Sequence, residues 1–139
     1  APAFLAPALR DLLPDPLSLK DMAPAADRLL RAVASRERVA IFADYDVDGG
    51  SSAALLLVRL RFFGMQATLY IPDRIDEGYG PNVLAMQALA AAHDLILCVD
   101  CGTLSHAPVA AALAAGVVML DHHLALPTQP AVRLPRSRR

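Results

Sequence analysis

Asp44, Asp46 and Asp48 stand at every second position, directly after the apolar segment Val39-Ala40-Ile41-Phe42-Ala43 and before Gly49-Gly50-Ser51-Ser52. Carboxylates packed that closely repel one another unless a cation sits among them. The plain alternative is a solvated acidic turn. Its setting argues against that, because an apolar run enters the cluster and a second, Ala53 to Val58, leaves it. Strand ends that feed helix starts are where open α/β sheets hold their ligands. Glycines at 49 and 50 let backbone approach an anion, and Ser51 or Ser52 can cap a helix whose N-terminus favours phosphate.

Three chemistries use such a run. A calcium loop fits Asp44, Asp46, Asp48 and Gly49, but it needs a bidentate Glu at its twelfth position, where Leu55 stands. An aspartyl-phosphatase of the haloacid dehalogenase type would match Asp46-Val47-Asp48-Gly49-Gly50. It also requires a downstream lysine to offset the phosphoaspartate charge, and Lys20, the sole lysine, lies upstream. The third chemistry holds a pair of divalent ions and demands further Asp and His ligands later in the chain. Asp100 follows the apolar run Leu95 to Val99, and Asp121-His122-His123 follows Val117 to Leu120. One Asp after a strand is more often a helix cap, and a His pair is often a polar loop. In a parallel sheet, however, all C-terminal strand ends lie on one edge, where these groups converge.

The elements that must position them alternate. Apolar runs at 39–43, 67–71, 95–99 and 117–120 are separated by helical segments at 22–35, 51–63, 81–92 and 106–115. This βα repeat predicts an α/β fold, a parallel sheet with helices on both faces. The helix from Ser51 is apolar all round through Val58, which predicts burial against the sheet. Pro81 suits a first helical turn. The Pro-rich start reads as an extended lead-in over 1–21, and the Pro- and Arg-rich segment 127–139 as a disordered tail.

Four motifs in order resemble the amino-terminal part of the RecJ family, the single-strand-specific 5′→3′ DNA exonucleases of the DHH phosphoesterase superfamily. They are Asp44-Tyr45-Asp46-Val47-Asp48-Gly49, Ile71-Pro72-Asp73-Arg74 with Glu77-Gly78-Tyr79-Gly80-Pro81-Asn82, Val99-Asp100-Cys101-Gly102-Thr103, and Asp121-His122-His123-Leu124. The resemblance makes 22–126 a partial DHH phosphoesterase domain. It implies two-metal phosphodiester hydrolysis with Mn²⁺ or Mg²⁺ and no covalent protein nucleophile, in DNA repair and recombination. Asp46, Asp48, Asp100 and His122 are then direct ligands, with Asp44 and Asp121 as ligands or as groups that orient them. His123 lies by the scissile phosphate, so His123 and Asp44 are the catalytic candidates. Arg74 and Tyr79 match positions that contact single-stranded DNA, through charge and stacking. Without the resemblance, Arg74 would read as a surface ion pair with Asp73, Asp76 or Glu77. A single-strand-binding protein and other repair proteins are partners by family analogy. Members of the family continue well past the DHH triplet, which reads here as a truncated product of limited activity. The alternatives are a small-nucleotide phosphodiesterase or pyrophosphatase of the same superfamily, and a non-catalytic remnant.

Composition sets outer bounds. With 139 residues and 55% hydrophobic content, the chain can bury one core of ordinary size. No apolar run is long enough to cross a bilayer, and the start carries no basic n-region, so a cytoplasmic location is the default. A net charge of -1 argues against a broad phosphate-gripping surface, although bound cations invert the field of an acidic site. Cys98 and Cys101 spell a lone CxxC, read as strand and loop filler rather than a zinc or redox pair.

Overall fold

A computed structural model of the chain describes residues 12–112, 114–124 and 132–133, together with Leu5 and Ala8. Four strands, β1 (Val39–Ala43), β2 (Ala67–Tyr70), β3 (Leu95–Val99) and β4 (Gly116–Leu120), alternate with helices α1 (Met22–Ala34), α2 (Val47–Phe62), α3 (Val83–Ala92) and α4 (His106–Ala111). A short 3₁₀ turn, Pro16–Ser18, precedes α1, with the Asp15 side chain accepting from the Leu17 amide. With a fifth strand, β5 (Val132–Arg133), the sheet order is β2-β1-β3-β4-β5, and the first four strands run parallel. The fifth, Val132–Arg133, pairs antiparallel with β4 inside the segment expected to be a disordered tail. The remainder of 127–139 lies outside the described residues, as does most of the lead-in before Leu12.

Every residue of β1 and β3 is buried, which is why both read as continuous apolar runs instead of alternating ones. Their side chains divide between two cores. Ala40, Phe42, Ile96 and Cys98 face α3 and α4, while Val39, Ile41, Ala43, Leu95, Leu97 and Val99 pack with residues of α1 and α2. Helices therefore cover both faces, as the βα repeat predicts. Each fully buried Ile, Leu or Phe contributes roughly 1.5–3 kcal/mol, and this rigid double core fixes where the strand ends point.

Chain direction makes the site. From β1 the path crosses to β2 on one side and then returns to β3 on the other, so the order reverses between β1 and β3. The carboxyl ends of those two strands flank the crevice where such sheets bind ligands.

Several expectations need correction. Helix α2 begins at Val47, not Ser51, because Asp46 caps it: its Oδ1 accepts from the amides of Asp48 and Gly49, each at 3.0 Å. An Asp cap ahead of the serines satisfies the first-turn amides, so neither serine serves as the cap. Nor is α2 buried all round. Ala53 and Leu60 face the sheet, whereas Leu55, Val58 and Phe62 are 64–76% exposed, because one sheet face covers only one side of a helix. Helix α3 is capped by Asn82, whose Oδ1 accepts from the Ala85 amide at 2.8 Å, which leaves Pro81 outside it. Strand β2 ends at Tyr70, and α4 ends at Ala111.

Candidate active site

Asp44 and Asp100 follow β1 and β3, and the Asp44 amide continues the ladder by donating to the Val99 carbonyl at 3.3 Å. The Asp100 amide in turn donates to the Leu120 carbonyl of β4 at 2.9 Å, so three strand ends are laced together. Asp100 takes a left-handed backbone with φ of 59°, a conformation unusual for a residue with a Cβ and one that concentrates at functional sites. Both carboxylates are buried, at 3% and 5% exposure. Asp44 Oδ1 is also buried without a hydrogen-bond partner, and Asp100 Oδ1 is buried with only the exposed His122 ring in reach. Burying carboxylate oxygens with so little compensation is costly, so two such carboxylates at one edge call for a cation.

Further donors complete the set. Ligand atoms of Asp44, Asp46 and Asp100 lie within 4.8 Å of one another, and so do those of Asp100, His122 and His123. Asp100 belongs to both groups, so its carboxylate is common to the two sets of donors. Its Oδ1 is 3.1 Å from His122 Nε2 and 4.0 Å from His123 Nδ1. Oxygen and imidazole donors mixed in this way suit Mn²⁺ and admit Mg²⁺. Electrostatics sharpen the contrast between neighbouring carboxyls. Burial, reinforced by Asp46, raises the Asp100 carboxyl, whereas the Gly49 amide holds the Asp46 carboxyl down.

Asp121 plays a different part. Its Oδ2 accepts from the Thr103 amide at 3.0 Å, and its Oδ1 is 2.7 Å from His123 Nδ1. Burial opposes ionisation of Asp121, but hydrogen bonds from Thr103 and His123 outweigh it and bring the carboxyl to about 2. His123 is correspondingly raised above its ordinary value, first by the Asp121 hydrogen bond. Asp121 thus orients His123 and lies outside both ligand groups. Asp48, expected as a ligand, lies outside them too, because it sits inside the first turn of α2 and not at the strand end. Asp48, Ser51 and Ser52 instead line a cleft of about 810 Å³ with Lys20, Asp100, Asp121 and His122. Gly49 is needed for packing: a Cβ there would meet the Asp44 carbonyl oxygen at 2.4 Å, while Gly50 has open space around it.

The chain belongs to the DHH family. The family's N-terminal domain matches residues 38–137, which spans the whole sheet and the ligand groups at its edge. Similar relatives include the single-stranded-DNA-specific exonuclease RecJ of Bacillus subtilis, 40% identical over 86% of this chain, and that of Dickeya dadantii, 42% identical over 88%. The chain spans only 16% and 22% of their lengths. Among solved structures, exonuclease RecJ bound to manganese matches with a TM-score of 0.75 and 35% identity, covering 81% of this chain and 30% of that one. RecJ from Thermus thermophilus in complex with Mn²⁺ matches at 0.72 and 30%, covering 91% and 17%.

Within this DHH domain the loop after β2 reaches the same edge. Arg74 is not ion-paired with Asp73, Asp76 or Glu77; its guanidinium carbon stands 5.1 Å from the centroid of the Tyr45 ring. Tyr45 meets Tyr79 edge to face at 6.4 Å, and the Tyr79 hydroxyl is 3.4 Å from both the Asp100 carbonyl oxygen and His123 Nε2. Burial and the nearby Asp44 and Asp121 charges push the Tyr79 hydroxyl up to about 12, so it stays a donor. Tyr45 is a site residue that sequence reasoning does not single out. Its signal was an aromatic wedged between two site carboxylates. Cys98 and Cys101 are buried free thiols, Cys98 pushed up to about 12 by burial, in keeping with the filler reading.

Proposed function

We propose that this chain carries the catalytic part of a single-strand-specific 5′→3′ DNA exonuclease that hydrolyses phosphodiester bonds with divalent metal, in DNA repair and recombination. The reading rests on the two buried carboxylates, Asp44 and Asp100, gathered with Asp46, His122 and His123 into two sets of converging donor atoms at the sheet edge. Asp44, Asp46, Asp100 and His122 would hold Mn²⁺ or Mg²⁺, which when bound supplies Lewis acidity and a water acidic enough to attack phosphorus at neutral pH.

The protein's own groups do the rest. His123, held at Nδ1 by Asp121, is oriented to offer a proton to a phosphate oxygen. Arg74 and Tyr79 border the site where a single strand would run, one suited to phosphate and the other to a base or sugar. A cleft of about 810 Å³, lined in part by Asp100, Asp121 and His122, is roomy enough for a nucleotide.

Purified chain incubated with a 5′-phosphorylated oligonucleotide should release 5′ mononucleotides slowly when Mn²⁺ is supplied, as a part of limited activity, and should stop when it is chelated. Release that persists in Asp100→Asn, or in chelator, would contradict the assignment. Preference for a dinucleotide or pyrophosphate over the oligonucleotide would favour a small-nucleotide phosphodiesterase.

A further inference from the structure

Neither Arg74 nor Tyr79 belongs to a helix or strand, yet both are held at defined places around Tyr45 and His123. Something must fix the loop, and it is Glu77. Its Oε1 accepts from the Asp73 amide at 2.9 Å, and its Oε2 accepts from Asn82 Nδ2 at 2.9 Å and from the Tyr70 hydroxyl. The Glu77 amide closes the ring by donating to the Asp73 carbonyl at 2.8 Å. One carboxylate thus joins both ends of the loop to two rigid elements. Tyr70 ends β2 and stacks on Phe42 of β1 at 5.3 Å, and Asn82 caps α3. Asp73 tightens the turn from within, its Oδ1 accepting from the amides of Ile75 and Asp76 at 2.8 and 3.1 Å. Between these anchors Gly78 and Gly80 take positive φ, which swings Tyr79 inward toward the metal-ligand edge.

We propose that Glu77 is a positioning residue for substrate: its carboxylate sets Arg74 and Tyr79 for gripping a single strand while taking no part in holding metal. The proposal rests on the strand-binding reading of the site given above. Both side chains lose less entropy on binding because the loop is preformed. Loss of the carboxylate should therefore weaken strand binding and leave the metal-ligand edge untouched, since Glu77 lies in neither ligand group.

The test uses the full chain with Glu77→Gln and, as a milder change, Tyr70→Phe, which removes one donor and keeps the ring stacked. Three quantities are read: affinity for a 5′-phosphorylated oligothymidylate by fluorescence anisotropy, Mn²⁺ affinity by calorimetry, and amide exchange at residues 73–82. Glu77→Gln should weaken oligonucleotide binding about tenfold, the scale of one charged hydrogen bond, and speed exchange at Asp73, Ile75 and Asp76. Mn²⁺ affinity should stay at the wild-type value, and Tyr70→Phe should fall between. Unchanged exchange, unchanged oligonucleotide affinity, or a parallel loss of Mn²⁺ affinity would each overturn the proposal. A wild-type chain that binds no oligonucleotide would instead sink the strand-binding reading, and the proposal with it.

Discussion

Asp46 carries two duties that substitution can separate. One oxygen caps α2 through the amides of Asp48 and Gly49, and the carboxylate also joins Asp44 and Asp100 in a ligand group. Asn still offers a carbonyl oxygen to the cap but brings no charge to a cation. Asp46→Asn should therefore cut Mn²⁺ affinity with little change in melting temperature, whereas Asp46→Ala should cut affinity and also cost about 1 kcal/mol of stability. Calorimetric titration beside thermal unfolding distinguishes the two. At Gly49 the restraint is steric. A methyl group there would press on the Asp44 carbonyl, so Gly49→Ala should destabilise by about 1–3 kcal/mol in denaturant unfolding. It should also displace the very backbone that aims the Asp44 carboxylate.

At the level of elements, the Asp73 to Asn82 loop depends on pH through Glu77. Hydrogen bonds from Tyr70, the Asp73 amide and Asn82 lower the Glu77 carboxyl in the folded state, while Tyr70 is pushed up to about 12. A depressed folded value means the stabilisation is fully present above the ordinary carboxylate range and is lost as pH falls through the folded value. Amide exchange within 73–78, corrected for intrinsic rates, should therefore rise selectively as pH drops below the ordinary glutamate value, with α3 staying protected. Sequence made the strands plain, because β1 and β3 are buried on both faces and read as unbroken apolar runs. Helix starts were harder to read. Two serines after two glycines looked like a cap, and only the folded chain revealed that the strand-end Asp46 does that work. The roles of Tyr45 and Glu77 were hidden for a different reason: both depend on side chains meeting across elements, which neither periodicity nor spacing encodes.

For the molecule as a whole, the doubly packed sheet is what makes a preformed acidic edge tolerable. Removing buried side chains from its middle should be costly: Ile41→Ala or Leu97→Ala is expected to lose about 2–5 kcal/mol, measured by denaturant midpoint. A cation bound only by the folded chain adds stability in return, about 2.7 kcal/mol at a hundredfold excess over its dissociation constant. Among the described residues no helix is long and apolar enough to cross a membrane, and helix α2 leaves Leu55, Val58 and Phe62 exposed. On this account the Asp44 and Asp100 carboxylates lie buried together because they hold a divalent ion. Isothermal titration of Mn²⁺ into the wild-type chain and Asp100→Asn tests it most directly. Saturable binding in the wild type that the substitution abolishes, with the fold retained by circular dichroism, is the predicted result; no binding, or equal binding by both proteins, would contradict it.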